Sequence, residues 1–175
     1  MKLYASLISG DLGNIRKQVK DLEKAGIDGI HFDVMDGVFV PRLGLPPEIL
    51  KVVKETTKLP VDVHLMIDNP REYLEAFDKA DSINYHLTPD IIMGDQLEMV
   101  MGIEPGTTGQ PIREDTYMRI VAIKPITDKP IIVDGGVTLE TAPKLKEAGA
   151  DILIVGRAIF NDKPLAENIR RLHEI

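Results

Sequence analysis

The chain has 175 residues, a formal net charge of -7, 43% hydrophobic and 28% charged content, the balance of a globular protein long enough for one substantial core. No lysine or arginine stripe runs along it, which argues against nucleic acid as a main partner but not against a phosphorylated metabolite bound by backbone amides. The absence of cysteine excludes a disulfide, a thiolate metal site and a cysteine nucleophile. Met1-Lys2-Leu3-Tyr4-Ala5 lacks the apolar core of a signal peptide, and no apolar run is long enough for a bilayer span. One cytoplasmic domain over residues 1–175 is the expectation.

Residues 2–8 read as a short apolar strand ending in the turn Ser9-Gly10-Asp11. Residues 14–25 carry Ile15, Val19 and Leu22 on one helical stripe, and Gly26 stops them. Residues 29–35 are a strand in which Ile30, Phe32 and Val34 alternate with His31, Asp33 and Met35. That alternation puts a histidine and an aspartate on one face of an otherwise apolar strand. Pro46-Pro47 opens a helix over 48–57, as proline does at a first turn. A strand over 60–67 carries His64, a helix follows over 70–79, and a strand over 82–87 carries His86.

Near Asp90 the rhythm breaks. Residues 88–96 are too few for a helix, a strand and another helix. It resumes with a strand over 97–103, a helix over 113–123, and a strand over 130–133 that ends in Asp134-Gly135-Gly136. A helix over 139–148, a strand over 151–155 ending in Gly156-Arg157, and a last helix over 165–173 complete the chain. Near-continuous apolar strands alternating with helices predict an α/β fold with a parallel sheet covered by helices. The seven strands counted here fall one short of a TIM (β/α)8 barrel, which typically runs ~250 residues. A doubly wound sheet is disfavoured, because Ser9-Gly10-Asp11-Leu12-Gly13 is a poor dinucleotide-binding loop.

Four polar residues sit at strand ends: His31, Asp33, His64 and Asp134. Alone, each is explained as a hydrogen-bonded core histidine or a turn-forming aspartate. At equivalent positions on three strands of a barrel they converge, and two imidazoles with two carboxylates suit zinc, iron, manganese or cobalt. Gly135-Gly136 and Gly156-Arg157 fall after the last two strands, where such barrels bind phosphate. Gly106-Thr107-Thr108-Gly109 is a further phosphate loop or a lid. Met35, Met66 and Met101 stand beside the polar residues as an apolar cap. His86 is a pocket or structural histidine, and His173 a surface one.

Together these stretches resemble the ribulose-phosphate 3-epimerase family. The resemblance rests on Ser6-Leu7-Ile8-Ser9-Gly10-Asp11, His31 through Pro41, Val61 through Met66, Met101 through Gln110, Val133-Asp134-Gly135-Gly136-Val137 and Gly156-Arg157-Ala158-Ile159-Phe160. It implies a TIM barrel and a metal-dependent epimerase of the pentose phosphate pathway, interconverting ribulose 5-phosphate and xylulose 5-phosphate. By position, His31, Asp33, His64 and Asp134 correspond to the family's metal ligands, and Asp33 and Asp134 to its two acid/base groups. Ser6, His64, Met35, Met66 and Met101 correspond to substrate-pocket residues. Gly109, Gly135, Gly136, Gly156 and Arg157 fall in its phosphate loops. The expected cofactor is one divalent ion, the expected partner a phosphorylated ketose, and the expected assembly a homo-oligomer.

The chain also departs from the family. The family loop is richer in glycine and carries an aromatic where this chain has Thr107-Thr108, Arg42 stands for an asparagine, and Arg157 for a small residue. The family carries a helix, a strand and most of another helix after Asp90. Their absence would expose strand edges, so the expectation is that a disordered segment has been left out. A hexulose 6-phosphate epimerase and a non-catalytic phosphosugar-binding barrel are the alternatives. Related synthases and decarboxylases need an Asp-x-Lys-x-x-Asp strand, and residues 31–36 contain no lysine.

Overall fold

A computed structural model describes residues 1–175. Its strands are β1 (Lys2–Ser6), β2 (Gly29–Met35), β3 (Val61–Met66), β4 (Ser82–Thr88), β5 (Ile91–Gly94), β6 (Glu98–Met101), β7 (Ile131–Asp134) and β8 (Ile152–Val155). Its α-helices are α1 (Ile15–Lys24), α2 (Pro47–Thr56), α3 (Thr116–Ile123), α4 (Ala142–Ala148) and α5 (Leu165–His173). The eight strands form one sheet in the order β5-β4-β3-β2-β1-β8-β7-β6. Neighbouring strands pair in parallel, except that β4 and β5 are antiparallel. The end strands β5 and β6 come together without a hydrogen-bonded ladder, giving a near-closed barrel.

Every residue of β2 and of β3 is buried, because helices cover one face and the barrel interior the other. The outward side chains Ile30, Phe32, Val34, Val61, Val63 and Leu65 join the main apolar core with Val19 and Leu22 of α1 and Leu50 and Val53 of α2. Truncating Leu22 to alanine there costs about 2–5 kcal/mol. The inward positions of β2 to β4 are polar: His31, Asp33, Asp62, His64, Ser82, Asn84 and His86 are all buried. Those of β1 and β6 to β8 are mostly apolar, with Tyr4, Met99, Met101, Ile132, Ile152 and Ile154 in a second cluster.

Residues 88–96 depart from the expected pattern. Within these residues an eighth strand forms all the same: Pro89-Asp90 turns the chain straight back into β5. An antiparallel partner needs only a short turn, whereas a parallel one needs a crossover of a dozen or more residues. Proline and aspartate supply that turn. The hairpin covers the edge of β4 but brings no helix with it, so Leu87, Ile91 and Met93 remain 47%, 53% and 45% exposed. Residues 70–77 also differ from the expected α-helix. Pro70–Phe77 is a 3-10 helix whose only buried residue is Phe77, so packing does little to enforce a regular helix.

Candidate active site

The polar wall begins with His31. Its Nδ1 lies 2.8 Å from Asp62 Oδ2 and its Nε2 3.1 Å from Asp33 Oδ1. Asp62 accepts in turn from Ser82 Oγ at 2.5 Å and Asn84 Nδ2 at 2.8 Å. A carboxylate only accepts, so His31 donates through Nδ1 to Asp62 and through Nε2 to Asp33. Asp33 also accepts from Ser6 Oγ at 3.1 Å. His64 Nδ1 lies 3.3 Å from Asp134 Oδ2 and 3.7 Å from Asp33 Oδ1. The strand register explains the convergence: Asp33 pairs with His64 across β2 and β3, and both point inward.

One ligand atom each from His31, Asp33, His64 and Asp134 lies within 4.8 Å of every other. Burial by itself would lower the pKa of His31, but Asp33, Asp62 and Asp134 outweigh it and raise it well above the usual value. Burial would raise Asp33, yet the charge and hydrogen bond of His31, with His64 close by, hold it far below the carboxylate range. His64 is likewise raised, by Asp134 and Asp33 against burial. The cluster thus concentrates ionised groups out of water, at high cost unless they are well compensated. His64 Nδ1 is buried and makes no hydrogen bond despite the nearby carboxylates. An orphaned imidazole nitrogen facing two carboxylates and a second imidazole fits a divalent cation.

A cavity of about 680 Å³ opens above these residues at the C-terminal ends of the strands. Asp33 and Asp134 lie in its floor, with Ser6, Met35, Met66 and Met101 around them. Met35 and Met66 pack with Val40 beside Ile8 and Phe39, while Met101 belongs to the apolar wall. Gly135, Gly136, Gly156 and Arg157 line the opposite side. The loop of residues 104–110, after β6, contributes Glu104 and Gly106 through Gln110 to the lining. A side chain on Gly106 would run into Val40, and one on Gly109 would run into the face of the Arg157 guanidinium. Both glycines also hold positive φ, 74° and 75°. Arg42 and Arg157 line the cavity as well, each a guanidinium suited to an anionic ligand.

The family model for ribulose-phosphate 3-epimerase matches this chain over residues 2–94 and 90–160. The chain belongs to the ribulose-phosphate 3-epimerase family. A member from Methanocaldococcus jannaschii is 34% identical over 211 aligned residues, covering 99% of this chain and 90% of its own. Another from Bacillus subtilis is 34% identical, covering 91% and 92%. The two matched pieces of the family model break at the β4–β5 hairpin. The longer alignment shows that the M. jannaschii relative has residues with no counterpart here. At the level of fold, the tryptophan synthase α-subunit of Pyrococcus furiosus superposes with a TM-score of 0.64 at 16% identity, covering 100% of this chain and 98% of its own. The family is one of epimerases, and its barrel is the architecture described above.

All the expected site residues except His31 and His64 line the cavity. His31 and His64 lie beneath it, fully buried. Asp36 shapes the loop, accepting from Val38 N and Phe39 N with one oxygen and from Asp68 N with the other. His173 is on the surface, near the Gly26 carbonyl. The sequence reading missed Asp62, Ser82 and Asn84. Asp62 carried a signal of its own: it stands two residues before His64 on the same strand face. Asn84 and Ser82 stand two and four residues ahead of His86 on the same face, but uncharged residues on a strand give little reason to single them out.

Proposed function

We propose that the chain interconverts D-ribulose 5-phosphate and D-xylulose 5-phosphate, an epimerisation of the pentose phosphate pathway. The observation that carries this reading is the pair of carboxylates, Asp33 on β2 and Asp134 on β7, brought with two histidines to the floor of one cavity. His31, Asp33, His64 and Asp134 would hold one divalent ion, zinc, iron, manganese or cobalt. When bound, such an ion supplies a Lewis acid that stabilises negative charge on the substrate's ketone and hydroxyl oxygens.

The chain's own residues do the rest. One aspartate removes the proton from the carbon beside the ketone, and the electron pair passes into the carbonyl as an enediolate. The other aspartate gives a proton to the opposite face, and the carbonyl re-forms with inverted configuration. Carboxylates on different strands provide the two faces. Ser6 holds Asp33 in place through its hydroxyl. Met35, Met66 and Met101 keep bulk water from the intermediate. Amides of the loops around Gly109, Gly135, Gly136 and Gly156 take the phosphate. Arg157 adds a charged, forked donor to them.

An epimerase assay with and without chelator, repeated for Asp33→Asn and Asp134→Asn, tests the reading. Activity that needs a divalent ion, with a large loss in both variants, is expected; full activity in either would remove the two-base mechanism. The same assay on a hexulose 6-phosphate tests a second substrate. Thr107 and Thr108 in the cavity wall motivate that test, because they stand where the family loop carries glycine and an aromatic.

A further inference from the structure

A histidine outside the four-residue cluster determines how one of its members presents itself. His86 faces inward from β4 and is 2% exposed. Its Nε2 lies 2.8 Å from His64 Nε2, and the two rings stack with centroids 4.9 Å apart. Two imidazole nitrogens at that distance share one proton: one must donate and the other accept. The far side of His86 sets the direction. His86 Nδ1 lies 3.2 Å from the Thr88 carbonyl oxygen, which can only accept. The proton of a neutral His86 therefore sits on Nδ1. Its Nε2 carries the lone pair and accepts from His64 Nε2–H. A neutral His64 then carries its lone pair on Nδ1, the buried atom without a hydrogen bond that faces Asp33 and Asp134.

We propose that His86 is a positioning residue: the relay from the Thr88 carbonyl through His86 to His64 fixes the His64 tautomer and presents its Nδ1 lone pair to a divalent cation. This rests on the reading of the four-residue cluster as a cation site. His31 has a different outer partner, the Asp62 carboxylate, so the two imidazoles are oriented by unlike devices. Thr88 stands at the irregularity where the β4–β5 register shifts. The short hairpin that stands in for a longer family segment therefore holds the outer end of the relay. The Phe39 ring, 5.2 Å from His86, closes the other side from the loop after β2.

The test uses the full chain and zinc ion as probe. His86→Leu removes the acceptor, whereas His86→Gln returns an amide oxygen to the same place. Zinc affinity is measured by competition with a chromophoric chelator, and imidazole protonation by nitrogen-15 NMR of the zinc-loaded wild-type protein. Loss of an outer partner of a ligating histidine lowers affinity by about 10–100-fold. That loss is expected for His86→Leu, with most of the affinity restored in His86→Gln and thermal unfolding little changed between the two. The NMR spectrum should show protons on His64 Nε2 and His86 Nδ1. Wild-type affinity in His86→Leu, or a proton on His64 Nδ1 in the zinc-loaded protein, would overturn the proposal and leave the cation site standing. A wild-type chain that binds no zinc would overturn the cation reading and the proposal with it. Should His86→Leu fail to fold, the wild-type NMR measurement decides alone.

Discussion

The two halves of the barrel interior are built on opposite principles. From β2 to β4 the inward side chains below the Met35 and Met66 rim are charged or polar and buried: hydrogen bonds link Ser6, Asp33, His31, Asp62, Ser82 and Asn84, and His64 pairs with His86. From β6 to β8 they are apolar, apart from Asp134 at the rim, and the polar contacts come from glycine loops beyond the strand ends. The difference fits the proposed function, in which the polar half handles a proton and the glycine loops a phosphate. Moving a proton needs carboxylates and imidazoles fixed to within a fraction of an ångström, which strands and a supporting hydrogen-bond network provide. Holding a phosphate needs several amides around one anion, which loops free of side chains provide. Asp134 is the one charged group that the apolar half lends to the polar one.

The largest effect should come from breaking the polar half at its bases. Asp33→Asn and Asp134→Asn should each lower kcat by about 10²–10⁴-fold, read by coupled epimerase assay and by solvent deuterium incorporation at the epimerised carbon. Next is the support behind His31. Asp62→Asn should weaken divalent-ion affinity by about 10–100-fold, measured by chelator competition; unchanged affinity would mean that the bond from His31 to Asp62 does not orient the ring.

The phosphate half should respond more mildly and in a different parameter. Arg157→Ser should raise KM about tenfold, the equivalent of losing ~1.4 kcal/mol, with kcat nearly unchanged. Steady-state kinetics check this, and an equal fall in kcat would place Arg157 in the chemical step instead. The two halves should also separate with pH. In the metal-free protein the raised pKa of His31 contributes stability that is complete below about pH 6.5 and is lost as pH rises through the folded-state value. Metal-free protein should therefore melt progressively lower on going from neutral to alkaline pH, and His31→Gln should flatten that trend. The smallest effect belongs to the hairpin's exposed face: Met93→Gln, at a position 45% exposed, should change stability by less than about 0.5 kcal/mol in a urea titration.

Legibility in the sequence followed the same division. His31, Asp33 and His64 were legible because period-two alternation assigns side chains to a face from their spacing alone. The stretches after β7 and β8 were legible as glycine turns, but not as walls of one cavity. The contacts of Gly106 with Val40 and of Gly109 with Arg157 join residues far apart in sequence. No local pattern encodes them.

The sequence by itself determined the alternation of strands and helices, the inward face of each strand, and the chemical character of the site. These follow from backbone periodicity and side-chain type, which are local. Only the tertiary structure decided that β5 returns antiparallel through Pro89-Asp90. Nor could sequence alone show that Asp62 stands behind His31 and His86 behind His64. A strand's partner and a histidine's tautomer are set by what lies across the sheet, and proximity across a sheet is a property of the closed barrel.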